Sequence, residues 1–266
     1  MPKIKVSDIE MNYEVEGEGE PLLILSGWVK ITASAERFRR IFGSSYRMIR
    51  PEHRGMGQTD APDAPYAIEM LAADLNGLLE RLDLRQVRLL GGGGMGAQVA
   101  IVLASRHPDK VRSLMLGAPI VKVDPFAREL LRFWCDLYRV SPQLWARDIS
   151  LHEYAAKTWN DRPEVIHKAI TARIADNPFG TPAVYEKLTA AYIAFDASDF
   201  LPRIACPTLV TCGGAEDRIT GPRYAKEVHS RIPGATLHVF EDAAHGYQTE
   251  AFEQFSQVAR DWFART

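Results

Sequence analysis

Residues 87–103 read VRLLGGGGMGAQVAIVL, and this stretch decides the fold. It begins with a short run rich in β-branched and aliphatic residues and continues with four consecutive glycines, Gly91 to Gly94. It ends in an apolar segment with helical spacing. A buried strand, a sharp turn and a helix are typical of this pattern, so the sequence predicts a strand-turn-helix unit here.

Strand and helix signals alternate on both sides of this unit. Alternation of this kind is typical of a parallel sheet with helices on both faces, so we predict an α/β fold with a mostly parallel sheet of about eight strands. The first two strands are expected at an edge. The expected strands, besides that of the glycine unit, are 3–7, 10–16, 22–25, 46–50, 111–117, 209–212 and 236–240, and the expected helices are 35–42, 67–82, 222–231 and 249–264.

The glycine run resembles the nucleophile elbow of the α/β-hydrolase superfamily, in which G-x-S-x-G sits at a strand-turn-helix junction. Gly92 and Gly96 match the two flanking glycines, and Gly94 stands at the position of the nucleophilic serine. The segment HPDKV at 107–111 and the loop RGMGQTD at 54–60 are also similar to that superfamily. Glycine has no side-chain atom that can attack a carbonyl, so Gly94 forms no covalent intermediate.

The resemblance implies an α/β-hydrolase fold in which a helical cap is inserted into one core domain. Residues 121–200 carry only helical signals and are rich in aromatic residues. We therefore expect a core domain at 1–120 and 201–266 and a helical cap at 121–200. The cap aromatics are expected to line an apolar pocket over the elbow.

The resemblance also assigns an acid and a base. In the superfamily an acid follows the strand after the cap, and a histidine follows the last strand. Asp217 in CGGAEDRIT and His245 in EDAAHGYQ match these contexts, with Glu216 as a competing acid. A carboxylate at one imidazole nitrogen fixes the tautomer and leaves the other nitrogen as a general base. Asp217 and His245 could thus activate water or a substrate proton without a serine.

An oxyanion hole is the remaining part that the resemblance implies. It is made from two backbone amides, one just after the nucleophile position and one in the loop after an early strand. Met95 is the first candidate and Trp28 is the second, with the Trp28 indole as a possible pocket wall. Ser26 stands where the superfamily usually has histidine.

The remaining candidate ligands predict neither a metal site nor a cofactor. The loop PEHRGMGQTD has Glu52 in place of the usual aspartate and is interpreted as structural, and His53 is expected to be a surface or loop residue. The glycine run lacks the context of a dinucleotide fingerprint. The other histidines, without metal-ligand spacing, are at 107, 152, 167, 229 and 238.

Composition restricts the class of partner. The 266 residues include 32 basic and 34 acidic residues, which give a net charge of -2. This balance does not favour a nucleic-acid or anionic-membrane surface, so the expected partner is a small apolar or carbonyl-containing substrate. Three scattered cysteines, no signal-peptide pattern and no long apolar run lead us to expect a cytoplasmic protein.

Three functional hypotheses remain open from the sequence. The first is a small-molecule enzyme acting on an ester, lactone, amide or carbon-carbon bond next to a carbonyl. In it the nucleophile at position 94 is either lost by inactivation or replaced by water that His245 activates. The second is a cofactor-independent lyase, cyclase or dioxygenase with His245 as base, and the third is a ligand-binding pseudoenzyme.

Overall fold

An eight-stranded sheet runs through the part of the chain that the structure, a computed structural model, describes, namely residues 2–28, 31–43 and 45–266. The strand order is β1-β2-β4-β3-β5-β6-β7-β8. The strands are β1 (Lys3–Val6), β2 (Ile9–Glu16), β3 (Glu20–Leu25), β4 (Tyr46–Pro51), β5 (Val87–Gly91), β6 (Val111–Gly117), β7 (Thr208–Gly213) and β8 (Thr236–Phe240).

Strands β3 to β8 pair in parallel, whereas β1 pairs antiparallel with β2 and β2 pairs antiparallel with β4. The predicted fold class, a mostly parallel sheet with the first two strands at an edge, is confirmed. Burial agrees with this order, because every residue of the interior strands β5 and β7 is buried whereas the edge strand β1 is largely exposed.

Helices cover both faces of the sheet. On one face α1 and α11 bury the phenylalanines Phe38, Phe42, Phe255 and Phe263. On the other face α2, α3 and α9 pack in a cluster that continues into the segment between β6 and β7. These helices are α1 (Ile31–Phe42), α2 (Ile68–Arg81), α3 (Met95–Arg106), α9 (Gly221–Arg231), α10 (Tyr247–Glu250) and α11 (Phe252–Arg265).

The segment between β6 and β7 is helical, as predicted for residues 121–200. Four of its helices begin at a proline, at N1, where the missing amide hydrogen costs least. Asp124, Ser141 and Thr181 precede three of these prolines and accept a hydrogen bond from a backbone amide of the first turn. The helices are α4 (Pro125–Val140), α5 (Pro142–Glu153), α6 (Ala156–Asp161), α7 (Pro163–Asp176) and α8 (Pro182–Ala194).

This topology brings four loops to one edge of the sheet. The loops after β3, β5, β7 and β8 all leave the carboxyl ends of parallel strands, where ligands bind in open α/β sheets. They carry Trp28, Gly94, Asp217 and His245 respectively. No helix within the described ranges has both the length and the apolar character needed to cross a bilayer.

Candidate active site

The turn between β5 and α3 holds Gly94 in a conformation that side chains rarely adopt. Gly94 caps α3 with φ 58° and ψ -83°. Glycine reaches this region at no steric cost, whereas a residue with a Cβ is strained there. The amide of Gly92 donates to the Leu25 carbonyl at 2.9 Å, which ties the turn to β3. The chain therefore makes a sharp strand-to-helix turn with no side chain at its apex.

The loop after β3 lies directly against this elbow. A Cβ on Gly27 would be only 2.0 Å from the Gly93 carbonyl oxygen, so the two backbones approach as closely as glycine allows. The adjacent Trp28 and the elbow residue Gly94 line one cavity. Met95 is the first residue of α3, so its amide has no helical acceptor. Across the described chain, neither the Trp28 nor the Met95 amide donates to another protein group.

Asp217 and His245 meet at the same edge of the sheet. The Nδ1 of His245 lies 3.2 Å from Asp217 Oδ2. The other oxygen of Asp217 accepts hydrogen bonds from the Ile219 and Thr220 amides, both at 2.9 Å. The Thr220 hydroxyl lies 3.3 Å from Asp217 Oδ2 and 3.1 Å from His245 Nδ1. The imidazole is thus held through Nδ1, and His245 itself lines the cavity beside Gly94.

The charges of this pair reinforce each other. Burial alone lowers the pKa of His245, but the charge of Asp217 and its hydrogen bond outweigh that effect and raise the pKa above its usual 6.5. Burial raises the pKa of Asp217, while the charge and hydrogen bond of His245 with the two backbone amides bring it below 3.8. The Asp217 side chain is fully buried and that of His245 is 16% exposed. The pair therefore favours a carboxylate that stabilises an imidazolium.

Tyr192 of α8 occupies the space in front of Gly94. A Cβ built on Gly94 would lie 2.9 Å from the Tyr192 hydroxyl oxygen. Tyr192 is almost fully buried and lines the cavity, and burial raises the pKa of its hydroxyl, so it stays protonated near neutral pH. The hydroxyl thus stands where a side chain at position 94 would extend.

The cavity is about 250 Å³ in volume and has an aromatic wall. The indole of Trp28 packs edge-on against Phe179, Tyr185 and Tyr192, with ring centroids 5.6 to 6.0 Å apart. Tyr185 and Tyr192 lie on α8 and line the cavity, whereas Phe179 lies in the loop before α8 and packs behind them. A second, polar wall contains Arg37 of α1 together with Glu153, Arg173 and Asp176.

Other residues singled out in the sequence have structural partners. Glu52 accepts hydrogen bonds from Asn12 Nδ2 at 2.7 Å and from the Gln58 amide at 2.8 Å. Glu216 accepts from the Ala156 amide rather than contacting His245. The expectation of a surface position for His53 is wrong. It lies in a loop as expected but is only 2% exposed, and its Nε2 donates to the Ser26 carbonyl at 3.2 Å.

Three residues that shape the site were missed in the sequence: Thr220, Tyr192 and Arg37. Thr220 follows Asp217 by three residues, the spacing of a hydroxyl that can turn back to a carboxylate. Tyr192 and Arg37 carry no local signal, since their roles depend on how separate helices pack. No group of three or more potential metal ligands occurs among the residues that the structure describes.

Comparisons with known proteins agree with this architecture. A family model described as alpha/beta hydrolase fold matches residues 20–251. A pimeloyl-[acyl-carrier protein] methyl ester esterase of Neisseria meningitidis is 33% identical over 211 residues, covering 75% of this chain and 78% of that protein. A 2-hydroxymuconate semialdehyde hydrolase of Pseudomonas putida is 26% identical over 275 residues, and the match covers 98% of this chain and 93% of that hydrolase.

A solved structure gives the same result. A thermophilic esterase from Thermogutta terrifontis superposes with a TM-score of 0.84 at 27% identity, covering 100% of this chain and 99% of the esterase. The family model spans far more than half of the chain, and the chain forms an eight-stranded, mostly parallel sheet. The chain therefore belongs to the α/β-hydrolase superfamily and is a hydrolase of that superfamily.

Proposed function

We propose that this protein hydrolyses a small carbonyl compound, an ester, lactone, amide or ketone-type carbon-carbon bond, with water as the nucleophile in place of a serine. The relatives named above comprise esterases and a semialdehyde hydrolase, which fits a reaction at a carbonyl carbon. The observation that carries the proposal is the Asp217–His245 pair beside an elbow that has no nucleophilic side chain. Asp217, His245, Trp28 and Met95 are the proposed functional residues.

The arrangement supports a direct attack by water. His245 Nε2, the nitrogen that does not face Asp217, removes a proton from a water molecule, and the water oxygen attacks the carbonyl carbon. The electron pair of the carbonyl moves to its oxygen, which the Trp28 and Met95 amides stabilise. When the tetrahedral intermediate collapses, the imidazolium returns the proton to the leaving group.

The position of Tyr192 supports the water-activating hypothesis over the hypothesis that a serine at position 94 was lost by inactivation. Its hydroxyl fills the space that a serine side chain would need, so the surroundings of Gly94 fit glycine. A tyrosine hydroxyl there can also hold the attacking water or the substrate carbonyl by a hydrogen bond. The helical segment 121–200 would serve as the cap that covers this site.

The test is turnover of a panel of small esters, lactones and β-diketones by wild-type protein and by His245→Ala. Loss of a general base typically lowers the rate about 100 to 10,000-fold, and we expect a loss in this range for His245→Ala. His167→Ala, a change of an exposed histidine on α7, is the matched control and should retain wild-type rates. Mass spectrometry should detect no acyl adduct. Unchanged turnover in His245→Ala, or a trapped acyl-enzyme, would contradict the proposal.

A further inference from the structure

Arg37 places a positive charge in the cavity wall, and no carboxylate of the described chain forms a direct ion pair with it, although Glu153 acts on it electrostatically. Its two terminal nitrogens donate to neutral oxygens, Nη1 to Gln248 Oε1 at 3.2 Å and Nη2 to Thr249 Oγ1 at 3.0 Å. Within the described chain, no carboxylate lies within 4 Å of this guanidinium. Arg37 lines the same cavity as Gly94 and His245.

Three fully buried arginines differ from the partly buried Arg37 because each of them forms a direct ion pair. Arg50, Arg54 and Arg88 are each less than 5% exposed, and each contacts a glutamate or an aspartate. Arg173, also in the cavity wall, pairs with Glu153 at 2.6 Å. The charge of Glu153 is thus already balanced by a closer partner.

A partly buried guanidinium that forms no direct ion pair is a suitable binding group for an anion. Removing a charge from water costs free energy unless a counter-charge and hydrogen bonds compensate for it. Burial lowers the pKa of Arg37, the charge of Glu153 opposes this effect, and an arginine stays protonated in proteins. A guanidinium has five N–H donors, and Gln248 and Thr249 take two of them. The remaining donors suit the two oxygens of a carboxylate.

We infer that the substrate carries a carboxylate group, separate from the reacting carbonyl, and that this carboxylate binds Arg37. The inference rests on the proposed function and names its substrate class: small acids that also contain an ester, lactone or ketone carbonyl. The cavity volume of about 250 Å³ restricts the ligand to a short chain or a single ring. The aromatic wall around Trp28 would contact its apolar part.

Binding to the intact protein, measured by titration calorimetry, tests the inference without requiring turnover. The probes are the monomethyl and dimethyl esters of succinate, glutarate and adipate, which differ only in the free carboxylate. We expect wild-type protein to bind at least one monomethyl ester about tenfold or more tightly than its dimethyl ester, as charged hydrogen bonds predict. Arg37→Met should remove this preference.

Arg40→Met is the matched control, because Arg40 lies on the same helix but stacks on Phe252 outside the cavity. It should keep the preference of the wild-type protein. Arg37→Gln, a polar and similarly sized change, replaces Arg37→Met if that variant does not fold by circular dichroism.

Three results would overturn the inference. They are equal affinity for the two esters in wild-type protein, an unchanged preference in the Arg37 variants, or no binding of any monomethyl ester below about 10 mM. His245→Ala should keep the carboxylate preference. A failure of the proposed hydrolysis would therefore appear in turnover alone, and a failure of the carboxylate site would appear in binding.

Discussion

The Tyr192 hydroxyl lies next to Gly94, so it limits the space available to a serine side chain at position 94. A Cβ at Gly94 meets the Tyr192 hydroxyl at 2.9 Å, closer than carbon and oxygen normally approach. Tyr192 cannot move away freely, because its ring packs against Trp28. A serine at position 94 would thus be strained by its positive φ and crowded by the tyrosine.

This relation predicts that Gly94→Ser alone adds little to the wild-type turnover of activated esters, whereas Gly94→Ser with Tyr192→Phe adds more. Removing the hydroxyl gives the serine room to reach His245. We expect the double variant to exceed the single variant by about tenfold or more in kcat/KM, equivalent to relief of about 1.4 kcal/mol. Turnover of p-nitrophenyl esters of short and bulky acids measures this.

Tyr138→Phe in the Gly94→Ser background is the control for this comparison, since the Tyr138 hydroxyl bonds to Asn177 away from the elbow. It should leave the rate of Gly94→Ser unchanged. Absence of ester turnover in both the single and the double variant would instead favour the lyase, cyclase or dioxygenase hypothesis.

The protonation of His245 gives a second test at this scale. The charge of Asp217 raises the pKa of His245 against the effect of burial, so Asp217→Asn should reverse the shift and bring the pKa below 6.5. A base must be unprotonated to accept a proton, so the acid limb of the rate profile should move to lower pH in the same variant. NMR titration of the histidine ring protons measures the change directly.

His53 serves as an internal reference in that titration. Burial lowers its pKa to about 4, and it contacts Ser26 rather than Asp217. Its pKa should therefore be the same in wild-type protein and in Asp217→Asn. A His245 pKa that is equal in the two proteins would show that Asp217 does not control the imidazole.

The site residues that the sequence predicted and those that it did not predict differ in how their positions are determined. Asp217 and His245 stand in short turns directly after strands, and parallel strand ends must converge, so their meeting follows from local sequence and topology. Tyr192 lies in the last turn of α8, and Arg37 lies in the middle of α1. Which helical side chains reach the cavity depends on how the helices pack, and single-residue patterns do not encode this.

At the scale of elements, the turn that carries His245 is fixed by the inserted helices. The Ala244 amide donates to Glu250 Oε2 at 2.7 Å, and the Gly246 amide donates to the Glu153 carbonyl at 2.7 Å. The other oxygen of Glu250 accepts from the Ala155 amide and the Thr158 hydroxyl, at the start of α6. One carboxylate thus joins the β8 turn to the segment between β6 and β7.

Glu250→Ala should therefore loosen this junction and lower activity. Three donors lose their acceptor, and an unsatisfied buried donor costs about 1 to 3 kcal/mol, so we expect a loss of about 2 to 4 kcal/mol in the free energy of unfolding. Urea titration followed by circular dichroism measures it. Glu253→Ala, at a residue with an 84% exposed side chain, is the control and should change stability by less than about 0.5 kcal/mol. Equal stability of the two variants would contradict this role of Glu250.

For the inserted helices, the sequence predicts the starting residues but not the packing of one helix against another. The sequence predicts where α4, α5 and α8 begin, because a capping residue followed by proline marks each start. The sequence does not predict how the helices are arranged. Helical periodicity identifies a buried face, but it does not predict that Trp145 packs against Tyr185 and Phe179, because this contact depends on how α5 and α8 pack together.

At the scale of the whole molecule, Arg54 links three parts of the fold. Its Nε and Nη2 contact Asp74 of α2 at 2.7 and 2.8 Å, and Nη2 also contacts Asp8 in the turn between β1 and β2. Burial works against the charge of Arg54, but the two aspartates outweigh it and raise its pKa. The RGMGQTD loop is therefore a structural tie, as the sequence suggested for this segment.

Arg54→Met should destabilise the whole protein, because Asp74, with a 2% exposed side chain, loses its counter-charge. Breaking one partner of a buried ion pair typically costs about 3 to 5 kcal/mol, and we expect a loss of this size in urea unfolding. Arg54→Met combined with Asp74→Leu removes both charges and should recover a large part of the loss. The midpoints of urea unfolding, compared between wild-type protein and the two variants, measure this recovery. The His245 pKa should be the same in the folded fraction of each variant as in wild-type protein. If the double variant is as unstable as Arg54→Met, the cost comes from lost packing around Arg54 and not from an unpaired charge.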